Sequence, residues 1–135
     1  MIQIPLALVA DYANVSREGK LNILGVFDQV YAPNVPALHP QMQLVMTIVA
    51  DRGEANKDHA IKIELIDADN IETIFRIEGK IKFEQPKSGE DVRINQTIQL
   101  NHVVFNKYGE YSLKILIDGK VQRSIPLKVV KPPMP

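Results

Sequence analysis

The chain contains no cysteine and no tryptophan, and only three of its 135 residues are histidine. Without cysteine there is no disulfide, no thiolate zinc site and no thiol nucleophile, and the composition leans towards a reducing compartment. Charge of one sign is also missing: Lys plus Arg equal Asp plus Glu at 16 each. A balanced chain lacks the bulk field that draws proteins to nucleic acid or anionic lipid, so neither partner is expected. Four Tyr, four Phe and no Trp leave little for a base-stacking platform or a sugar-binding shelf. No run approaches the ~18 apolar residues of a membrane span. The apolar opening Ile4–Ala10 has no Lys or Arg before Arg17 and is cut short by Asp11, which reads as a first strand rather than a secretory signal. We expect a cytoplasmic protein, in which the sequons at Asn14 and Asn95 carry no sugar.

Catalytic motifs are scarce as well. Ser16, Ser88, Ser112 and Ser124 lie in no Gly-x-Ser-x-Gly elbow, and the seven glycines form no phosphate-cradling loop. His39, His59 and His102 have no paired ligand spacing, so no metal and no cofactor is expected. Asp67-Ala68-Asp69-Asn70 opens like a calcium loop but lacks its Gly and distal Glu; Asp and Asn there suit a β-turn.

What the chain does have is alternation. Ile71, Thr73, Phe75, Ile77, Gly79, Ile81 and Phe83 share one parity, and Glu72, Arg76, Glu78, Lys80 and Lys82 the other. A period of two places successive side chains on opposite faces of a strand. Similar segments are Ile4–Tyr12, Lys20–Tyr31, Met42–Ala50, Ala60–Ile66, Val92–Leu100, Tyr111–Ile117 and Val121–Val130. Turn residues separate most of them, and a proline-rich connection, Ala32–Pro40, separates two. About eight strands at this spacing predict an all-β, single-domain, mostly antiparallel β-sandwich of immunoglobulin-like or related Greek-key topology. The domain is expected over residues 1–131, with a proline-rich tail over 132–135.

A turn at Ser16–Gly19 sets Val15 opposite Lys20, Tyr12 opposite Ile23, Leu8 opposite Phe27 and Val9 opposite Val26. At the other end, Asp118-Gly119 is a strong two-residue turn. Its simple register pairs Leu113 with Ser124. A bulge near Gln122–Ser124 restores Leu113 opposite Ile125 and Tyr111 opposite Leu127, and keeps Arg123 out of the core.

Outer parities are polar in the C-terminal half but apolar in the N-terminal half. Val9, Leu24, Val26 and Val30 fall on the expected outer face, and Met42–Ala50 is apolar on both parities. Strands apolar on both faces are covered on both faces. The cover is either the chain's own loop or tail, or a second subunit, since a self-complementary patch makes a two-fold dimer.

Asp11 and Asp28 stand among these apolar neighbours. With His39 they form the one candidate polar site, weighed against a role for the carboxylates as turn caps. The segment Ala10-Asp11-Tyr12-Ala13, followed by Gly19-Lys20-Leu21-Asn22-Ile23-Leu24-Gly25-Val26-Phe27-Asp28 and then His39-Pro40, resembles a small uncharacterised family of bacterial β-sandwich proteins. The resemblance implies a sandwich and no transferable activity. Gly109 to Leu127 is similar to the closing hairpin of immunoglobulin-like sandwiches. The expected function is a non-enzymatic binding or assembly module, a homo-oligomer or the binder of a protein partner, acting through its apolar sheet face and the 32–40 loop. The alternative is a small enzyme or ligand-binding protein using Asp11, Asp28 and His39.

Overall fold

A computed structural model describes residues 1–68 and 72–133; the Asp69-Asn70 part of the expected turn, Ile71 and the end of the tail lie outside them. Among the described residues the alternating segments form nine strands: β1 (Ile2–Val15), β2 (Leu21–Phe27), β3 (Gln29–Tyr31), β4 (Ala37–Ala50), β5 (Asp58–Asp67), β6 (Thr73–Lys82), β7 (Val92–Phe105), β8 (Gly109–Ile117) and β9 (Lys120–Val130). A short 3₁₀ turn, Arg52–Glu54, follows β4. The first sheet has the order β2-β1-β4-β7 and the second β3-β9-β8-β5-β6. They pack face to face over Val9, Leu44, Met46 and Ile48 from the first sheet and Ile63, Leu65, Leu113 and Ile115 from the second. This is the expected sandwich.

Two boundaries differ from expectation. The predicted strand Lys20–Tyr31 breaks at Asp28, whose carbonyl accepts the amide of Lys128 at 2.9 Å. Here the chain leaves the first sheet and enters the second, where β3 runs parallel to β9. The predicted loop Ala32–Pro40 ends early, because β4 begins at Ala37 and carries His39 and Pro40. Pro40 has no N–H to give. On the neighbouring strand His102 sits at φ 55, and the paired residues on either side are His39 with Val103 and Gln41 with Asn101. Inward parity changes there: Met42 and Leu100 face the core before it, Val103 and Phe105 after it.

The last hairpin follows the expected register. Leu113 faces Ile125, Tyr111 faces Leu127, and a shift between Ile115 and Leu116 takes up the extra residue. Arg123 does not leave the inward face as expected: it pairs with the core residue Ile115, is half-buried, and donates from Nη1 to the carbonyls of Ile4 (3.0 Å) and Pro5 (3.3 Å) on the facing sheet. The Tyr111 hydroxyl donates to Lys107 O at 2.7 Å, fixing the entry to β8.

The first hairpin is one residue out. Ser16 N donates to Lys20 O at 2.8 Å, and Gly19 occupies φ +86, so the loop is one residue longer than the predicted turn. Val9 therefore faces Phe27, Ala10 faces Val26 and Tyr12 faces Leu24. A slip of one residue exchanges the faces of every side chain. Val9 is accordingly a core residue rather than an outer one, and Val30, carried into the second sheet by β3, is also in the core. Leu24 and Val26 stay outside.

β4 is buried at every position from Met42 to Ile48, on both of its faces. The cover is the β1–β2 hairpin itself. Asn95, on β7, accepts the Thr47 hydroxyl at 2.7 Å and donates from Nδ2 to Gly19 O at 2.7 Å. Thr47 belongs to the outer parity of β4, so the hairpin turn lies back across the outside of the sheet from which its strands emerge. The bend is made at Asp11 and Gly25. Gly25 has φ +73, and a Cβ there would stand 2.5 Å from Asp11 Oδ2. Only glycine admits both that backbone and that approach.

Candidate functional site

The residues with most exposed apolar surface on the first hairpin are Leu24 (67%), Val26 (60%) and Tyr12 (50%). Tyr12 and Leu24 are direct cross-strand partners, and Val26 lies two residues along β2, beyond the bend at Gly25. Beside them Asn22 Nδ2 donates to Asn14 Oδ1 (2.9 Å), and Asn14 Nδ2 donates to the Tyr12 hydroxyl (3.2 Å). From Leu21 to Phe27 the strand carries no charge. Because β2 is the outermost strand of its sheet, this uncharged surface continues to an open edge.

Asp11, Asp28 and His39 are not brought together. The Asp11 carboxylate packs over Gly25 at the bend. Asp28 borders two shallow hollows, one beside β9 and one beside β1. His39 lies in a third hollow with Tyr31 and Leu38, its ring 5.6 Å from that of Phe27. A hollow of about 500 Å³ runs along the seam between the edge strands β6 and β7, walled by Phe75, Ile77, His102 and Val104. Its arginine, Arg76, is already engaged with Glu64 Oε1 at 3.1 Å.

The tightest polar cluster is one that spacing did not reveal. His59 opens β5 on the inward parity, 2% exposed, with its ring 5.0 Å from Phe83. Its Nδ1 lies 2.6 Å from Asp118 Oδ2, and its Nε2 lies 2.8 Å from the carbonyl of Glu54 and 3.6 Å from Glu54 Oε2. Burial by itself would lower the His59 pKa; the bonds to Asp118 and Glu54 O, with the charges of Asp118 and Glu54, outweigh it and raise the value above 6.5. The same bond holds Asp118 below the usual carboxylate range. The amino group of Met1, bound to Asp51 and Glu54, is raised above 8.0, first by the bond to Asp51.

Ligand atoms of Glu54, His59 and Asp118 lie within 4.8 Å of one another, close enough to hold a metal ion. Both ring nitrogens of His59, however, are spent on oxygen acceptors, and an imidazolium has no lone pair to offer. The cluster cross-links the 3₁₀ turn to the β8–β9 turn. A signal for it was present: the inward parity of β5 runs His59, Ile61, Ile63, Leu65, Asp67 and so begins and ends on a polar residue. Asp67, at its other end, is 1% exposed with Lys107 Nζ at 3.5 Å. Among the described residues, no helix is long and apolar enough to cross a membrane.

A family profile described as a family of unknown function, DUF6941, matches residues 5–130. No curated protein matches the chain. Among solved structures, the Pseudomonas fluorescens alkylpurine DNA glycosylase AlkC bound to DNA containing an abasic site analog aligns with 95% of the chain, at 8% identity and a TM-score of 0.48. The chain spans 30% of that protein.

Proposed function

We propose that this chain, which belongs to the DUF6941 family of unknown function, is a non-enzymatic binding and assembly module that pairs with a second copy of itself. The observation that carries the reading is the exposed apolar surface of the first hairpin, where Tyr12 and Leu24 pair across the strands and Val26 follows beyond the bend. Burying these side chains removes apolar area worth about 25 cal/mol per Å². From Leu21 to Phe27, β2 brings no like charge to its own copy, and the polar neighbours Asn14 and Asn22 are already bonded to each other. A site built on Asp11, Asp28 and His39 is not favoured, because Asp28 and His39 border different hollows and the Asp11 carboxylate packs over Gly25.

The experiment is light scattering over a concentration series. Wild type is expected to associate in the micromolar range, and Leu24→Glu and Val26→Glu to run as monomers with unchanged far-ultraviolet spectra. Both positions are exposed, so the substitutions leave the core intact. A wild type still monomeric at high micromolar concentration overturns the reading.

A further inference from the structure

We infer that His59 is a proton-operated latch, which fastens the 3₁₀ turn and the start of the chain to the β8–β9 turn when protonated and releases them when neutral. The argument is one of donors and acceptors. Nδ1 faces an ionised carboxylate oxygen and Nε2 faces a backbone carbonyl, at 2.6 and 2.8 Å. Neither partner has a proton to donate, and a neutral imidazole carries only one N–H. Neutral His59 therefore sets one ring lone pair against an oxygen lone pair, at a position 2% exposed, where an unmade bond is not replaced by bulk water. The docked arrangement calls for the imidazolium.

The two sides of the latch are not equally fixed. Asp118 Oδ1 accepts the amide of Ala60 at 3.0 Å and Asp118 N donates to Ala60 O at 2.8 Å, so this side is held to β5 independently of His59. Glu54 belongs to a three-residue turn, closed by Glu54 N to Asp51 O and Ala55 N to Arg52 O. That turn is tied on by Asn56 N to Phe83 O at 2.7 Å and carries no strand pairing of its own, so it is the side that loosens, with Met1, whose amino group rests on Asp51 and Glu54 and whose carbonyl accepts the amide of Asp51.

The charged groups around the ring are Asp118 from the β8–β9 turn and Glu54 from the 3₁₀ turn. Lys57 and the Met1 amine act on the Glu54 carboxylate, and Asp51 acts on that amine. Phe83, from beyond β6, presents only its ring. Since the folded His59 value is raised, the latch holds fully below 6.5 and lets go as pH rises through the raised value. The Met1 amine is raised too and acts in the same sense, so the test must separate them.

The test follows the His59 ring by NMR and the amide exchange of residues 51–57, corrected for intrinsic base catalysis, from about pH 6 to about pH 9. The expected result is one shared midpoint above 6.5 for ring titration and for faster exchange. Asp118→Asn should move both midpoints down together, and Glu54→Gln should move them down by less. Acetylating the N-terminus removes the Met1 charge and should leave the shared midpoint and the opening in place. An opening that vanishes on acetylation, or whose midpoint ignores Asp118→Asn, overturns the latch. A ring that does not titrate in this range while the segment opens overturns it as well.

Discussion

Gly25 shows how one residue can decide where a hairpin goes. Its φ of +73 and its contact with Asp11 create the bend that lays the hairpin on the sheet. Gly25→Ala meets both a backbone penalty and a clash with a carboxylate, and should cost about 1–3 kcal/mol in urea denaturation. Asp11→Ala combined with Gly25→Ala should recover part of that loss, because it removes the clash and leaves the backbone strain. At core and surface positions the contrast is simpler. Leu113→Ala, at 1% exposure, should cost about 2–5 kcal/mol, while Lys80→Ala should stay within about 0.5 kcal/mol of wild type. The residue scale was legible from alternation wherever register was right. Leu113, Ile125 and Leu127 follow from it, and Lys80 and Lys82 fall outside. Val9 does not follow, since a single extra loop residue at Gly19 exchanges its face, and loop length is not written in the hydrophobic pattern.

At the scale of elements, the doubly apolar β4 signalled a cover but not its identity. Parity shows that a strand has two buried faces; it does not say which segment lies on the second one. The answer rests on a polar contact, Asn95 bridging Thr47 and Gly19. Asn95→Ala removes the acceptor of the Thr47 hydroxyl, which is 3% exposed, and the donor to the hairpin turn. It should cost about 1–3 kcal/mol. Amide exchange should rise over residues 16–24, while β8 and its neighbours keep their protection. Equal loosening in both regions would mean that the hairpin is not a separate layer. The same substitution bears on the proposed assembly. If the hairpin must be held in place to present Tyr12, Leu24 and Val26, Asn95→Ala should weaken self-association without touching the contact surface.

Over the whole molecule, two sheets, antiparallel pairing and the closing bulge were legible, because period two and turn chemistry are local signals. Strand order was not. The parallel β3–β9 pair and the neighbours β1 and β4 join segments far apart in sequence, and nothing local encodes such partners. Along one side of the sandwich a long-range polar link joins the two sheets. Arg123 reaches from β9 to the carbonyls of Ile4 and Pro5, 119 and 118 positions away, where β1 is irregular between Gln3 and Leu6. Those carbonyls belong to a stretch that pairs with β4 on one side and has no strand on the other until β2 begins pairing at Val9. Arg123→Met keeps the aliphatic stem and removes the donors, and should cost about 1.5–3 kcal/mol, as expected for bonds from a charged group. Closure at such separation is late in folding, because loop entropy must be met before the contact forms. The loss should therefore fall on the unfolding rate, with the folding rate nearly unchanged. Stopped-flow chevrons of the two proteins measure this directly. A variant that folds markedly slower, with its unfolding limb unmoved, would place the β1–β9 seam in the folding nucleus instead.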